Sequence, residues 1–326
     1  MLAAIVAIAM FSPVIERQIE FEGAGGLKLA GTFSAPTAAK PTQALLLLPG
    51  SGPTDRNGNQ PPLLVTDLLK QIADKLAANG VASFRFDKRA APAYSTKWPK
   101  EPAALNEFFS WENFVGDADA ALKLLAGQPE VDPARVGTLG HSEGGLIALQ
   151  MAQTAKPWTL VLLGTPGRNM AVIVREQVSS ALKRQSAPKN VYDEFMGHVE
   201  KATKQVVEKG SVPDDLPPGL MPLFNPSVVK ILQSYFKLDP PAMAKAFAGP
   251  VLLINGKFDN QVSAERDAPV LYKGLTSRKD GKQEFVIVDG ASHNFKKVAN
   301  LDEPGFTGDV QPGLLDAILR WIKGLG

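Results

Sequence analysis

Short apolar runs alternate with amphipathic stretches along most of this 326-residue chain. Residues 43–50, QALLLLPG, form a continuous apolar run that ends in Pro-Gly, as expected of a strand buried on both faces. Residues 111–127 and 143–155 instead carry apolar side chains at helical spacing. This alternation predicts an α/β fold in which a mostly parallel central sheet is flanked by helices. In such a sheet, ligands bind beyond the carboxyl ends of the strands.

The alternating pattern is interrupted between residues 167 and 248, where helical stretches are separated by Pro-rich breaks and no run is typical of a strand. The segment is too long for a structureless loop. We therefore predict an α/β core made of residues 17–166 and 249–326, with residues 167–248 as a helical cap over the strand ends. The cap directly precedes the strand predicted at 249–256, and an antiparallel hairpin is predicted within residues 17–33.

Residues 1–16 are predicted to form a terminal segment separate from the core. Residues 2–11 are all apolar, and the run is too short to span a bilayer. It resembles the hydrophobic region of a secretory signal peptide, with Ala7-Ile8-Ala9 as a cleavage-site pattern, although no Lys or Arg precedes it. This favours export from a bacterium to the periplasm or the medium. The alternative is an apolar segment that docks on the domain. In that case the protein could also be cytoplasmic.

The composition excludes several classes of protein. The formal net charge is +2 and the charges are mixed along the chain, which argues against a nucleic-acid-binding surface. The chain has no cysteine, so it forms no disulfide and no cysteine-ligated metal site. It has three histidines without an H-E-x-x-H pattern, and no G-x-G-x-x-G follows the first strand-like runs. We therefore expect neither a metal ion nor another cofactor.

The pentad GHSEG at residues 140–144 fits the pattern G-x-S-x-G and lies between a predicted strand and a predicted helix. A sharp turn from strand to helix raises Ser142 above the sheet, and only small residues such as Gly140 and Gly144 avoid a collision there. The N-terminus of the following helix favours negative charge. This context indicates that Ser142 is a nucleophile; a tight turn that merely contains a serine is the alternative.

A serine hydroxyl needs a base, and the base needs a carboxylate that fixes its tautomer. His293 follows the last strand-like run and is the predicted base. His141 should point away from the serine hydroxyl, and His198 lies within a predicted cap helix. Asp259 follows a predicted strand 34 residues before His293 and is the predicted carboxylate. Asp289 is its rival, either as an outer partner of the histidine or as an ordinary turn residue.

The tetrahedral intermediate of acyl transfer needs donors for its oxyanion. The backbone N–H of Glu143, directly after the nucleophile, is one predicted donor, and the N–H of Ser51 is the other. Ser51 lies in the loop at residues 49–59, PGSGPTDRNGN, whose glycines and prolines also fit an ordinary turn. Three polar residues of this loop are predicted to line the pocket without taking part in the chemistry: Asp55, Arg56 and Asn57.

The chain order Ser142, Asp259, His293 is that of the α/β-hydrolase superfamily, which this chain resembles from about residue 17 to its end. The stretches LLPGSGPTDRNGN, FRFDKR and GHSEGG together resemble a bacterial subgroup of serine esterases that is related to serine aminopeptidase-like hydrolases and acyl-CoA thioesterases. The resemblance implies carboxylesterase activity on short acyl chains and a helical cap inserted before the strand that carries the aspartate.

One stretch departs from the pattern of this subgroup. Its members usually continue after DKR with a Gly-rich stretch and a serine, whereas this chain has Ala90, Ala91 and Pro92. The loop should be stiffer and bulkier here, which leaves its role near the site open.

The predicted function is a serine carboxylesterase that hydrolyses short- to medium-chain esters through an acyl-enzyme. The expected partner is a small-molecule ester, with no nucleic acid and no stable membrane span, and the sequence does not fix the oligomeric state.

The alternatives on the same triad are a peptidase or amidase and a thioesterase; a binding protein of this fold would commonly lack a triad residue. An aminopeptidase needs an acidic cluster, for which Asp193-Glu194 and Asp214-Asp215 are candidates, although solvated surface is the commoner role. Apolar residues of the cap either line an acyl pocket or pack its own core: Phe195, Met221, Phe224, Tyr235 and Phe236.

Overall fold

An eight-stranded sheet forms the centre of the molecule in the computed structural model, which describes residues 13–325. The signal-like run at residues 2–11 lies outside the described residues, and its assignment stays a prediction. The strand order is β1-β2-β4-β3-β5-β6-β7-β8. The strands are Val14–Glu22 (β1), Lys28–Pro36 (β2), Thr42–Leu48 (β3), Ala82–Phe86 (β4), Val131–His141 (β5), Leu160–Leu163 (β6), Val251–Gly256 (β7) and Gln283–Val288 (β8).

The sheet combines an antiparallel edge with a parallel centre. β1 pairs antiparallel with β2, and β2 with β4, whereas the pairs from β4 through β8 are all parallel. The predicted hairpin is thus β1 with β2, but β1 begins at Val14, inside the stretch 1–16 that was predicted to be separate from the core. Exposed and half-buried residues alternate along the whole of β1, which is why residues 14–16 continue the edge strand.

Helices cover both faces of the sheet. β3 shows why: Leu46 and Leu48 pack in one apolar cluster with the helices over 111–126 and 143–151. Leu45 and Leu47 pack in another cluster with the helices over 68–78 and 312–323. Successive side chains of a strand point to opposite faces, so a continuous apolar run requires a layer of helices on each side. The helices are Leu68–Ala78 (α1), Pro102–Phe108 (α2), Trp111–Ala126 (α3), Glu143–Met151 (α4), Met170–Arg184 (α5), Lys189–Lys209 (α6), Val229–Tyr235 (α7), Pro240–Ala246 (α8), Ala268–Thr276 (α9) and Pro312–Lys323 (α10).

Four of these helices, α5 to α8, lie between β6 and β7 and fall within residues 167–248, which we call the helical segment. The chain order therefore agrees with an insertion before the strand that precedes Asp259. Phe224, Tyr235 and Phe236 are buried, whereas Met221 is 41% exposed. Most of the aromatic residues considered for an acyl pocket are thus used in packing. Within residues 13–325, no helix combines the length and the apolar character that a membrane crossing requires.

Candidate active site

Ser142 lies at the junction between β5 and α4, where the backbone is strained. β5 ends at His141 and α4 begins at Glu143, so Ser142 alone separates the strand from the helix. Its φ of 54° and ψ of −118° are outside the regions that residues other than glycine favour. The Ser142 N–H donates to the carbonyl of Leu163 at 2.8 Å, which helps to hold this conformation. The residue is partly exposed at the carboxyl edge of the sheet.

The two glycines of the pentad lie where the backbones approach too closely for a side chain. A Cβ on Gly140 would be 2.2 Å from the carbonyl oxygen of Gly144, and a Cβ on Gly144 would be 2.4 Å from the carbonyl oxygen of Leu48. Real Cβ atoms do not approach so closely, so either substitution would displace the backbone around Ser142. β5, α4 and β3 therefore pack so closely at this turn that only glycine fits at positions 140 and 144, as the sequence pattern predicts.

His293 and Asp259 form a buried pair at the same edge of the sheet. Asp259 follows β7, His293 follows β8, and His293 Nδ1 lies 2.7 Å from Asp259 Oδ2. Asp259 Oδ1 accepts hydrogen bonds from the N–H groups of Gln261 at 2.9 Å and Val262 at 2.8 Å, which fixes the carboxylate. Because the carboxylate accepts from Nδ1–H, Nε2 is left free to take a proton. The rival Asp289 instead pairs with an exposed lysine and is 83% exposed.

Gly164 lies between the serine turn and the pair of His293 and Asp259. Gly164, with φ of 50°, lies so close to the pair that an added Cβ would be 3.2 Å from Asp259 Oδ2 and 3.3 Å from the His293 ring. Leu163, the residue before Gly164, provides the carbonyl that accepts from the Ser142 N–H. Among residues 13–325, no hydrogen bond joins the Ser142 hydroxyl to His293. Such contacts in unliganded enzymes often shorten only when substrate binds.

The other two histidines lie in different surroundings. His141 is buried, and its Nε2–H donates to the carbonyl of His293 at 2.9 Å. Burial, and then the neighbouring His293, lowers the pKa of His141 to about 3, so the ring is neutral at physiological pH. His141 therefore positions the backbone of His293, as expected of a residue that packs around the turn. His198 lies in α6 of the helical segment.

The two predicted oxyanion donors flank the serine. Gly50, directly before Ser51, lies against the turn, since an added Cβ would be 3.4 Å from the Ser142 Cβ. The Ser51 carbonyl accepts from the Thr54 hydroxyl at 2.9 Å and from Gln60 Nε2 at 2.7 Å, which orders the loop. Within residues 13–325, neither the N–H of Ser51 nor that of Glu143 donates to a backbone carbonyl in a turn or loop. The two N–H groups are thus available to a substrate oxygen, and their assignment as oxyanion donors remains a prediction.

The three polar loop residues are used to hold the loop. Asp55 Oδ1 accepts from the N–H groups of Asn57 at 2.8 Å and Asn59 at 2.9 Å. Arg56 Nε donates to Asp87 Oδ2 at 3.0 Å. Asn57 is held in turn by the buried side chain of Arg85, whose Nε donates to Asn57 Oδ1 at 3.2 Å. These contacts fix the conformation of the loop, and the pocket-lining role of the three residues stays a prediction.

Sequence reasoning missed the role of Lys88. Its ammonium donates to Glu143 Oε1 at 2.5 Å and to the Gly50 carbonyl at 3.1 Å, and it lies 4.8 Å from the centre of the Phe114 ring. Lys88 and Glu143 are both more than nine-tenths buried. The available signal was its position just after a buried strand, β4, because charged residues at strand ends meet at the same edge of a parallel sheet.

The stretch that departs from the subgroup's pattern packs against the sheet. Ala91 is buried, and a short 3-10 helix, Pro92–Lys97, follows it. The hydroxyl of Tyr94 in this helix accepts from the N–H of Ala30 in β2 at 2.7 Å. In this structure the stretch supports the antiparallel part of the sheet.

A cavity of about 340 Å³ approaches the site from the side of the carboxylate. It lies between α5 and the loop after β7, and its lining is mostly charged or polar, with Arg168, Glu176, Arg266 and Asp259 among the residues. This polarity does not suit an acyl chain. Among the described residues, no group of three or more Asp, Glu, His or Cys side chains is arranged to hold a metal ion.

Comparison with curated sequences shows one relative that spans most of this chain. It is the esterase EstD of Thermotoga maritima, 27% identical over 297 residues, which are 90% of this chain and 65% of that protein. This chain thus spans slightly less than two thirds of the length of that relative. An uncharacterized protein of Mycobacterium tuberculosis is 27% identical over 146 residues, 45% of this chain and 44% of its own length. No protein-family model matches the chain.

Solved structures of several esterases share the architecture. The acetyl xylan esterase from Paenibacillus sp. R4 superposes with a TM-score of 0.57 at 16% identity, over 95% of this chain and 84% of that one. A dienelactone hydrolase-like phosphotriesterase from metagenomic libraries gives 0.54 at 16% identity, over 96% and 98%. The esterase domain of a Rhodothermus marinus protein gives 0.52 at 17% identity, over 94% and 99%. The predicted fold, an α/β-hydrolase sheet with helices on both faces, is confirmed.

Proposed function

We propose that this protein is a serine carboxylesterase that hydrolyses short- to medium-chain carboxylic esters through an acyl-enzyme. The observation that carries the proposal is the buried 2.7 Å contact between His293 and Asp259, at the sheet edge where Ser142 stands on its strained turn. The sequence similarity to an esterase of Thermotoga maritima supports the same reaction class.

The proposed reaction uses the free Nε2 of His293 as the base. Nε2 removes the proton of the Ser142 hydroxyl as the oxygen attacks the ester carbonyl, and Asp259 stabilises the imidazolium that forms. The N–H groups of Ser51 and Glu143 hold the negative oxygen of the tetrahedral intermediate. His293 then gives its proton to the departing alkoxide, which leaves an ester of Ser142. Water, activated by the same nitrogen, attacks this acyl-enzyme and releases the acid.

Esters suit this site better than amides. An alkoxide leaves a tetrahedral intermediate more readily than an amine does. In the cavity beside the site, the Glu176 carboxylate is already paired with Arg168 and Arg266, which disfavours its use for a substrate amine. The acidic pairs considered for that role lie on the helical segment: Asp193 pairs with Lys189, and Asp215 with Lys201, all of them exposed. These contacts support surface solvation rather than recognition of an amino terminus.

The first test is hydrolysis of a series of p-nitrophenyl esters from acetate to palmitate, with Ser142→Ala beside the wild-type protein. We expect turnover of the shorter esters, because most of the buried aromatic side chains of the helical segment pack its own core. The alanine variant should lose about 10⁴–10⁶-fold in kcat, because it removes the nucleophile. A wild-type protein that hydrolyses none of the esters would contradict the proposal.

The two aspartates near His293 in sequence provide a matched control. Asp259→Asn should lower kcat by about 10³–10⁴-fold, because an amide no longer holds the productive tautomer of the histidine. Asp289→Asn should leave kcat within about twofold, because an exposed side chain paired with Lys257 has no contact with His293. Equal effects of the two substitutions would show that the carboxylate has been assigned to the wrong residue.

A further inference from the structure

Lys88 joins the two backbone units that are proposed to hold the oxyanion. The sheet order places β3 between β4 and β5, so the carboxyl ends of these three strands are contiguous. Lys88 follows β4, Gly50 follows β3 and Glu143 follows β5. The Lys88 ammonium reaches across this edge, with its Nζ at 3.1 Å from the Gly50 carbonyl oxygen and 2.5 Å from Glu143 Oε1.

The bond to Gly50 acts on the peptide unit that contains the first donor. The carbonyl of Gly50 and the N–H of Ser51 belong to one planar peptide, which is trans, since Pro61–Pro62 is the only cis bond among residues 13–325. In a trans peptide the C=O and N–H bonds point in opposite directions. An ammonium that holds the carbonyl therefore aims the N–H away from Lys88, and its charge strengthens that N–H as a donor. The backbone N–H of Lys88 also donates to the Thr54 carbonyl at 3.3 Å, which ties the same loop to β4.

The bond to Glu143 acts on the second donor. Glu143 is the first residue of α4, and its N–H is the group proposed to face the oxyanion from the side of the serine. Its carboxylate is buried, so it needs a positive partner, and Lys88 is the cation that meets it. Phe114 covers the ammonium from one side, and Tyr235 of α7 lies near the Glu143 carboxylate. Burial and this neighbouring carboxylate raise the pKa of the Tyr235 hydroxyl, so it stays neutral.

We propose that Lys88 is a positioning residue that holds the Ser51 and Glu143 N–H groups in the orientation that binds the oxyanion. The inference rests on the proposed esterase function. Lys88 makes no contact with the ester itself: it fixes one donor through the Gly50 carbonyl and the other through the Glu143 side chain. Its effect should therefore be felt in the tetrahedral intermediate and not in the binding of the intact ester.

The experiment compares Lys88→Met with a double variant and a matched control. In Lys88→Met, kcat for the best p-nitrophenyl ester should fall about 10–10²-fold, less than the about 10²–10³-fold for a donor that is lost outright. KM should stay within about threefold of the wild-type value. The affinity for a trifluoromethyl ketone, which adds Ser142 and forms an oxyanion, should fall by the same factor as kcat.

Lys88→Met/Glu143→Gln separates positioning from the cost of an unpaired buried charge. The double variant removes both charges, so it should recover most of the stability that Lys88→Met loses. Its kcat should stay low, because the Gly50 carbonyl keeps only the 3.4 Å hydrogen bond from the Thr54 hydroxyl and loses the charged donor. The control is Arg89→Met/Asp117→Asn, which neutralises the adjacent buried pair, 2.6 Å apart and without contact to the Gly50 or Glu143 units. Its kcat should equal that of the wild-type protein.

The possible outcomes separate the two proposals. A wild-type protein without ester hydrolysis would refute the esterase function, and in that case the Ser51 amide resonance still tests Lys88, because loss of the ammonium should shift it in Lys88→Met. A kcat that recovers in the double variant would overturn the inference, since Lys88 would then only neutralise Glu143. An unchanged Ser51 resonance, or a loss of kcat in the control as large as that in Lys88→Met, would also overturn it.

Discussion

Charged residues are used differently at the carboxyl edge of the sheet and in the helical segment. At the sheet edge, Arg89 and Asp117 are 2% and 1% exposed, and Arg89 also donates to the backbone carbonyls of Ala24 and Phe108. In the helical segment, Arg175 of α5 and Glu200 of α6 are 53% and 62% exposed and meet at 3.3 Å. The buried pair fixes the backbone around it, whereas the exposed pair lies on a solvated helix surface.

The difference follows from what each environment demands of a charge. A buried charge loses its hydration and is tolerated only with a partner and further hydrogen bonds, so the geometry around it is determined. An exposed pair gives up little hydration and is screened by solvent, so it constrains little. The comparison indicates that buried pairs fix the backbone around them and that exposed pairs do not, and it can be tested on each side.

The largest expected effect comes from breaking a buried pair. Arg89→Met should lower the free energy of unfolding by about 3–5 kcal/mol, because it leaves Asp117 buried without its partner. Burial already raises the pKa of Asp117 against the opposing effect of Arg89, so removal of the arginine leaves that cost uncompensated. Urea denaturation followed by fluorescence measures the change. A loss below about 1 kcal/mol would place this pair with the exposed ones and break the comparison.

A smaller effect concerns the pH dependence of stability at the sheet edge. The pKa of His141 is lowered to about 3 in the folded protein, whereas an unfolded histidine titrates near 6.5. Below pH 6.5 the unfolded state binds a proton that the folded state does not, so stability falls as the pH falls toward 3. This residue should contribute about 2 kcal/mol to the stability lost between pH 7 and pH 5.

His141→Asn should therefore flatten the profile of unfolding free energy between pH 7 and pH 5. Urea titrations of the wild-type protein and this variant at a series of pH values provide the measurement. A profile as steep in His141→Asn as in the wild-type protein would contradict the prediction.

The smallest expected effect comes from the helical segment. Arg175→Ala removes the exposed pair with Glu200 and should change the free energy of unfolding by less than about 1 kcal/mol. The residual effect should shrink further in 1 M salt, where exposed charges are screened. Comparison of urea midpoints at low and high salt tests this. A loss of several kcal/mol would mean that this pair holds α5 against α6 and is not merely solvated.

Much of this architecture was accessible from sequence because local patterns determine it. The run at residues 43–50 indicated a strand with two buried faces, and Gly140 and Gly144 indicated a turn where backbones nearly touch. Asp259 and His293 were found because each follows a strand, and strand ends share one edge of a parallel sheet. The start of β1 at Val14 was missed, because an edge strand with half-buried residues lacks a strong apolar pattern.

The position of Lys88 after a strand indicates that it lies at the sheet edge, but its partners were not accessible from sequence, because they depend on the order of strands in space. Nothing local indicates that β3 lies between β4 and β5 in the sheet, because β4 and β5 are consecutive strands in the chain. Sequence could not decide between Asp259 and Asp289 for the same reason. Both follow strands, and only the path of each loop in space directs the Asp259 carboxylate to His293. Pairing across the sheet edge is a tertiary property, and residue spacing alone does not encode it.

The position of the helical segment also affects how the chain folds. Leu160 of β6 pairs with Val251 of β7, although residues 164–250 lie between the two strands. Closing so long a loop costs about 1 kcal/mol more entropy than closing a connection of about 20 residues. Contacts within α5 to α8 are local and form faster than this pairing. We therefore expect β7 and β8 to join the sheet late, so that the serine turn is in place before the aspartate and the histidine arrive.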